Sequence, residues 1–234
     1  MNLFAGTSGF SYKEWKGRFY PANQPDRQML DFYGSRLPTV EINNTFYRMP
    51  KREALEGWAG QVPGAFKFAL KAPQRITHRE RLERSSDSLR AFLEVAGVLG
   101  ARLGPLLFQL PPFLRKDLPR LEAFIAMVPE GVRIAFEFRH PSWFADDTYE
   151  LLRARGSALV GGDADDADKS PPLVPTANFG YLRLRAAEYE GPALAAWADR
   201  IAEQPWTDAF VYLKHEVRGP EFAETLANLF AAKK

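Results

Sequence analysis

Short runs rich in β-branched and aromatic residues alternate along the chain with longer stretches in which apolar positions recur at helical spacing. Eight runs have strand character: Leu3–Gly6, Thr39–Asn43, Phe66–Lys71, Pro105–Gln109, Ile134–Phe138, Ala158–Asp163, Tyr181–Leu184 and Ala209–Lys214. The clearest helices are Asp87–Leu99, with Ser85, Ser86 and Asp87 as cap candidates, and Leu118–Met127, whose apolar stripe is Leu118, Leu121, Phe124 and Ile125. Gln28–Arg36, Arg52–Gln61, Thr148–Arg155, Ala193–Glu203 and Pro220–Ala232 supply the others, while Ser170–Pro175, after the acidic run Asp163–Asp168, reads as a loop. Strands alternating with helices predict a parallel sheet with crossover helices. Eight strands close a TIM-type (β/α)8 barrel. No internal repeat or long linker interrupts the pattern, so residues 1–234 are expected to form a single domain.

Within several strands a second pattern appears. Glu41 and Asn43 alternate with Val40 and Ile42, Lys67 and Lys71 with Phe68 and Leu70, Gln109 with Phe108, Glu137 and Arg139 with Phe136 and Phe138. Arg183 likewise stands between Leu182 and Leu184, and Lys214 follows Leu213. Successive side chains of a strand point to opposite faces. If the apolar set packs beneath the helices, the polar set points into the barrel and gathers at its mouth. Glu41, Lys71, Gln109, Glu137, Arg139, Asp163, Arg183 and Lys214 would then form a bowl with four positive and three negative charges. Buried charges need partners, and the same residues could serve as ion pairs that only pin the barrel.

Composition narrows the chemistry. The absence of cysteine excludes disulfides, thiolate nucleophiles, iron–sulfur clusters and zinc sites built on sulfur. With 31 basic and 29 acidic residues the net charge is only +2, so a dedicated nucleic-acid coat is not indicated. No leader pattern or long apolar span is present, and a cytoplasmic location without membrane contact is expected. No nicotinamide or flavin signature, phosphate loop or Gly-x-Ser-x-Gly elbow occurs.

His78, His140 and His215 follow strands three, five and eight, where they could ligate a divalent metal together with Glu41, Glu137 and Asp163. They lack a ligand-spacing motif and could equally cap loops. Tyr12, Tyr47 and Trp143 lie among polar neighbours and are candidates for packing on a sugar or base; the alternative is that such rings seal the core. Gly161-Gly162 could admit a ligand to the backbone or form a tight turn.

Five segments carry a resemblance: Gly6-Thr-Ser-Gly9-Phe-Ser-Tyr12 with Trp15, Val40-Glu-Ile-Asn-Asn-Thr-Phe-Tyr47, Phe66-Lys-Phe-Ala-Leu-Lys-Ala-Pro73 with Ile76-Thr-His78, Leu107-Phe-Gln-Leu-Pro-Pro112, and Phe136-Glu-Phe-Arg-His-Pro-Ser-Trp143. In this order they resemble the YecE-like family, domain of unknown function 72, over nearly the whole chain. The resemblance implies a TIM-type barrel without an assigned activity, and a distant structural likeness to the endonuclease IV barrel, which uses three zinc ions. Three histidines make such a trinuclear site hard to build. The family's Tyr-x-Arg-x-His-Gly is here Tyr181-Leu-Arg183-Leu-Arg185-Ala186, and its Phe-Asn-Asn-His is Leu213-Lys214-His215-Glu216. Both departures exchange neutral ligand candidates for cations.

The first expectation is therefore a barrel that binds or hydrolyses a small phosphorylated or carboxylated, sugar-like ligand. Glu41 or Glu137 would act as acid or base, Lys71 would stabilise negative charge, and Tyr12, Asn43, Tyr47, Gln109, Arg139, Trp143, Asp163, Arg183 and Lys214 would bind substrate. The alternatives are a metal-dependent phosphodiesterase acting on nucleic acid, with His78, His140 and His215 among its ligands, and a non-catalytic ligand-binding barrel.

Overall fold

In the computed structural model, eight parallel strands close into one barrel in chain order. The structure describes residues 1–83, 86–163 and 170–233. The strands are β1 (Asn2–Ser8), β2 (Thr39–Ile42), β3 (Lys67–Lys71), β4 (Leu103–Gln109), β5 (Ile134–Glu137), β6 (Ala158–Gly162), β7 (Phe179–Leu184) and β8 (Asp208–Leu213). The first and last strands pair over six residues, from Asn2 opposite Asp208 to Thr7 opposite Leu213, which removes both sheet edges. Around them run α1 (Met29–Arg36), α2 (Arg52–Ala59), α3 (Ser86–Ala96), α4 (Leu118–Ala126), α5 (Asp146–Ala154), α6 (Gly191–Ala202) and α7 (Gly219–Ala231). Among the described residues no helix joins β6 to β7, and Ser170–Pro175 is the loop its prolines predict. No described helix is long and apolar enough to cross a membrane.

The eight expected strands match these within two residues at either end. One helix differs: α3 stops at Ala96 instead of Leu99, and the chain continues as a tight turn through Gly100, whose φ of +53° suits a residue without a side chain. Of its cap candidates, Ser86 and Asp87 lie inside the first turn. Ser85 and the Ala164–Asp168 part of the acidic run lie outside the described residues. Helix α4 is capped by the Asp117 carboxylate, which accepts the Arg120 N–H at 3.1 Å.

The two-residue alternation separates two apolar layers. Val40, Leu70, Leu106, Phe108, Phe136 and Leu182 pack outward beneath the helices, while Ala69, Leu107, Ala135, Val160, Phe179, Tyr181, Phe210 and Tyr212 fill the barrel. The lower interior is aromatic: Phe4 stacks on Phe210 at 4.8 Å, and Arg133 lies over Phe179 and Phe210 while pairing with Asp208. Space there is tight. A Cβ on Gly6 would lie 2.0 Å from the Thr39 carbonyl oxygen, so the crossing of β1 and β2 requires glycine. The apolar filling ends at Tyr181 and Tyr212, whose rings lie 5.1 Å apart. Above them, the interior strand positions toward the C-terminal ends are polar: Ser8, Glu41, Lys71, Gln109, Glu137 and Arg183.

Candidate functional site

Six strands, β1 to β5 and β7, contribute interior side chains to this upper layer. Glu41, at the C-terminal end of β2, is fully buried and accepts four hydrogen bonds: from Ser8 Oγ at 2.5 Å, Asn43 Nδ2 at 3.1 Å, Arg183 Nη2 at 2.9 Å and Tyr181 OH at 2.7 Å. The other Arg183 nitrogen, Nη1, donates to Glu137 Oε2 at 2.6 Å. That oxygen also accepts from Gln109 Nε2 at 2.8 Å, and Gln109 Oε1 accepts from Lys71 Nζ at 2.9 Å. Glu137 Oε1 is bound by Arg185 Nη2 at 2.6 Å, with Arg139 Nε 3.6 Å away. The Lys71 ammonium sits 4.0 Å from the centre of the Phe46 ring.

These contacts fix the charge states. Burial, the largest single influence, would raise the Glu41 and Glu137 carboxyls, but it is outweighed by Arg183 together with the hydrogen bonds from Ser8, Tyr181 and Asn43 at Glu41 and with Arg185 and Arg139 at Glu137, and both stay below the usual carboxylate range. Burial would weaken the proton on Arg183, yet the two glutamates hold it above the ordinary arginine value. Lys71 goes the other way: burial, then the Arg183 charge, pulls its ammonium down to about 8. Lys214, at the rim, is lowered by partial burial and by Arg183, Arg185 and Arg139.

Glu41, Asn43, Lys71, Gln109, Glu137, Arg139 and Arg183 thus meet in one contact network. Four further predicted residues stand differently. Tyr12 is half-buried beside it and donates its hydroxyl to the Ser8 carbonyl at 2.8 Å, whereas Tyr47 is 77% exposed, edge-on to Phe46. The structure places Trp143 and Asp163 elsewhere. Trp143 is 1% exposed, stacks on Phe138 at 4.5 Å and donates its indole N–H to Leu114, so it belongs to the core. Asp163 turns its carboxylate to the backbone N–H groups of Arg185 and Ala186, Tyr189 OH and Trp197 Nε1, and so organises the loop after β7. The reason is register: Gly162 occupies the interior position of β6, and Asp163 is one residue out of phase. Of the two glycines before it, Gly162 serves strand packing, since a Cβ there would meet the Arg183 carbonyl oxygen at 2.1 Å, while a Cβ on Gly161 would lie 3.0 Å from the Leu173 side chain.

The histidines do not converge with the carboxylates. His140 Nδ1 accepts the Ser142 N–H, and His215 Nδ1 accepts the N–H groups of Val217 and Arg218, so both are loop caps. His78 packs edge-on against Phe46, and burial with the Lys71 charge lowers its proton affinity. Among the described residues no three His, Asp or Glu side chains are grouped to hold a metal. A multinuclear zinc site does not fit this donor set, because the buried carboxylates are already bound to guanidinium groups.

Sequence reasoning left Ser8, Phe46, Tyr181 and Arg185 out of the site, although Arg185 stood out as a cation where the family has a neutral ligand candidate. The alternation that selected Arg183 also places Tyr181 and Arg185 on its face, and Ser8 lies in phase with Phe4 and Gly6; carrying the period past the strand ends would have found all three. Phe46 lies in a turn and leaves no periodic signal. Beside the network, Phe46 and Tyr47 line a cavity of about 410 Å³ whose other wall includes Pro73, Arg75 and Arg79.

The site defines a (β/α)8 barrel with a buried carboxylate–guanidinium network closing its C-terminal mouth. A family model, Protein of unknown function DUF72, matches residues 4–234, and the chain belongs to that family. It is 34% identical over 177 residues to the UPF0759 protein YecE of Escherichia coli, covering 75% of this chain, and 29% identical over 184 residues to YunF of Bacillus subtilis, covering 74%. The matched segment spans 64% of the length of each relative. A DUF72 protein structure from Thermotoga maritima superposes with a TM-score of 0.87 at 24% identity, covering 99% of this chain and all of that one. One from Enterococcus faecalis gives 0.80 at 19% identity, covering 98% and 95%. At these identities the likeness concerns the fold.

Proposed function

We propose that the barrel mouth binds a small anionic metabolite carrying a phosphate or carboxylate group. The observation that carries this reading is an imbalance of charge. Five cations, Lys71, Arg139, Arg183, Arg185 and Lys214, face two carboxylates, Glu41 and Glu137. The buried Nε atoms of Arg183 and Arg185 have no hydrogen-bond partner, although a buried donor left unpaired costs about 1–3 kcal/mol. Lys214 has no carboxylate within 4.0 Å among the described residues. Guanidinium groups match phosphate and carboxylate oxygens in pairs, and an anion on this rim would offset the surplus charge.

The same geometry separates binding from hydrolysis. Both carboxylates are held ionised near neutral pH, so neither can donate a proton to a leaving group, and two-carboxylate glycoside hydrolysis is disfavoured. They act as fixed anions that aim Arg183 and Arg185.

The test is thermal unfolding with sugar phosphates, inorganic phosphate, organic acids, divalent metals and an abasic-site duplex, each with and without EDTA. A native-state ligand stabilises by RT ln(1 + [L]/Kd). Stabilisation by a small anion, insensitive to EDTA and reduced in Lys214→Ala, supports the reading. Stabilisation only by metal or by the duplex replaces it with the phosphodiesterase alternative.

A further inference from the structure

Lys71 is placed for more than charge. It is the last residue of β3, only 9% exposed, and its Nζ lies between Gln109 Oε1 and the face of Phe46. The carboxylates that would ordinarily neutralise a buried ammonium are engaged elsewhere: Arg183 bridges Glu41 and Glu137, and Arg185 takes the remaining oxygen of Glu137. Among the described residues no carboxylate oxygen lies within ion-pair distance of Lys71 Nζ. Its polar partner among the described residues, an amide oxygen, can accept an N–H from either a neutral amine or a cation.

Resting on the anion-binding reading above, we propose that Lys71 is a nucleophilic amine that forms an imine with a carbonyl-bearing anion, a 2-oxo acid or a phosphorylated aldehyde, held at the barrel mouth. The neutral nitrogen adds its electron pair to the carbonyl carbon, forming a C–N bond, and the carbonyl oxygen takes up a proton. The nitrogen then loses one proton. The hydroxyl departs as water after protonation, and the C=N bond forms as the protonated iminium. Amine, carbonyl compound and one proton are thereby converted to iminium and water, with no oxidant or reductant consumed. The iminium keeps one N–H for Gln109 Oε1, and its positive charge stays over the Phe46 ring. The surroundings that hold the ammonium therefore also suit the product.

The reacting form is available. With its proton affinity lowered to about 8 by burial and by Arg183, roughly a tenth of Lys71 is neutral at pH 7, against roughly one in 2,500 for an ordinary lysine.

The test uses the full chain incubated with pyruvate, glyceraldehyde 3-phosphate or acetaldehyde, reduced with cyanoborohydride and mapped by peptide mass spectrometry. The expected result is one adduct on Lys71 from pyruvate or glyceraldehyde 3-phosphate, exceeding that on each exposed lysine by more than about tenfold. It should be suppressed by inorganic phosphate and absent from Lys71→Arg. Pyruvate alone would identify the 2-oxo acid, and glyceraldehyde 3-phosphate alone the phosphorylated aldehyde. Adducts spread evenly over surface lysines, or equal labelling by neutral acetaldehyde, would overturn the assignment. A second readout needs no variant: labelling of Lys71 in the wild type should be half-maximal near pH 8, and a midpoint at the ordinary lysine value contradicts it. Thermal unfolding of the same samples separates the two ideas. Stabilisation by inorganic phosphate without a Lys71 adduct removes the imine and leaves anion binding standing; neither effect removes both.

Discussion

Arg183 joins two buried carboxylates through separate nitrogens, Nη2 to Glu41 at 2.9 Å and Nη1 to Glu137 at 2.6 Å. Removing one partner of a buried ion network leaves its other charges uncompensated, which costs about 3–5 kcal/mol. Arg183→Met is therefore expected to lower the urea unfolding free energy by about that amount. Adding Glu41→Gln to it should recover part of the loss, because one stranded carboxylate is then neutral. Additive effects in the double variant would show that the two residues are not coupled.

Acid should weaken the fold through the same pair. Glu41 and Glu137 have lower proton affinity in the folded chain than the ordinary glutamate value of about 4.3, so the unfolded chain binds protons first. Their contribution is complete above that pH and is lost progressively below it. Denaturant titrations at falling pH should show this decline, and Glu137→Gln should flatten it at the expense of stability at neutral pH. Identical slopes would exclude Glu137 as a source.

The lysine tilts stability in the same direction with pH, at the other end of the scale, although there it is the loss of a buried charge that helps. Its folded value of about 8 lies below the unfolded value of about 10.4, so between these limits the unfolded chain holds more protons and stability rises with pH. The gain is on the order of 3 kcal/mol. Lys71→Met should abolish this rise while leaving the acid limb in place.

Gly6→Ala is a test of packing alone. With 2.0 Å between the new Cβ and the Thr39 carbonyl, β1 and β2 must separate, and a loss of about 2–3 kcal/mol or more is expected. Trp143→Phe should lower stability by about 1–2 kcal/mol through the lost indole hydrogen bond, with unchanged anion affinity. Altered affinity would return Trp143 to the binding surface.

The legible part of this molecule is what period alone dictates. Alternation in β2, β3, β5 and β7 identified Glu41, Lys71, Glu137 and Arg183 because a buried strand cannot place adjacent side chains on one face. The same rule failed at Asp163, where Gly162 carries the interior register and conceals the change of phase. It is silent on turns, which is why Trp143 read as a ligand platform while its counterpart Phe46 was left out of the site. Loop rings are sorted by tertiary packing, and His140 and His215 were drawn into loop capping by neighbouring backbone N–H groups that no spacing motif records, while His78 was taken up by the Phe46 ring.

The most direct measurement of the central claim is calorimetric titration of inorganic phosphate into the wild type, Arg185→Ala and Lys214→Ala. Saturable binding by the wild type, weakened about tenfold or more in each variant, is the predicted result, corresponding to about 1.4 kcal/mol per lost contact. No binding by the wild type, or equal binding by all three proteins, would contradict the assignment of the barrel mouth as an anion site.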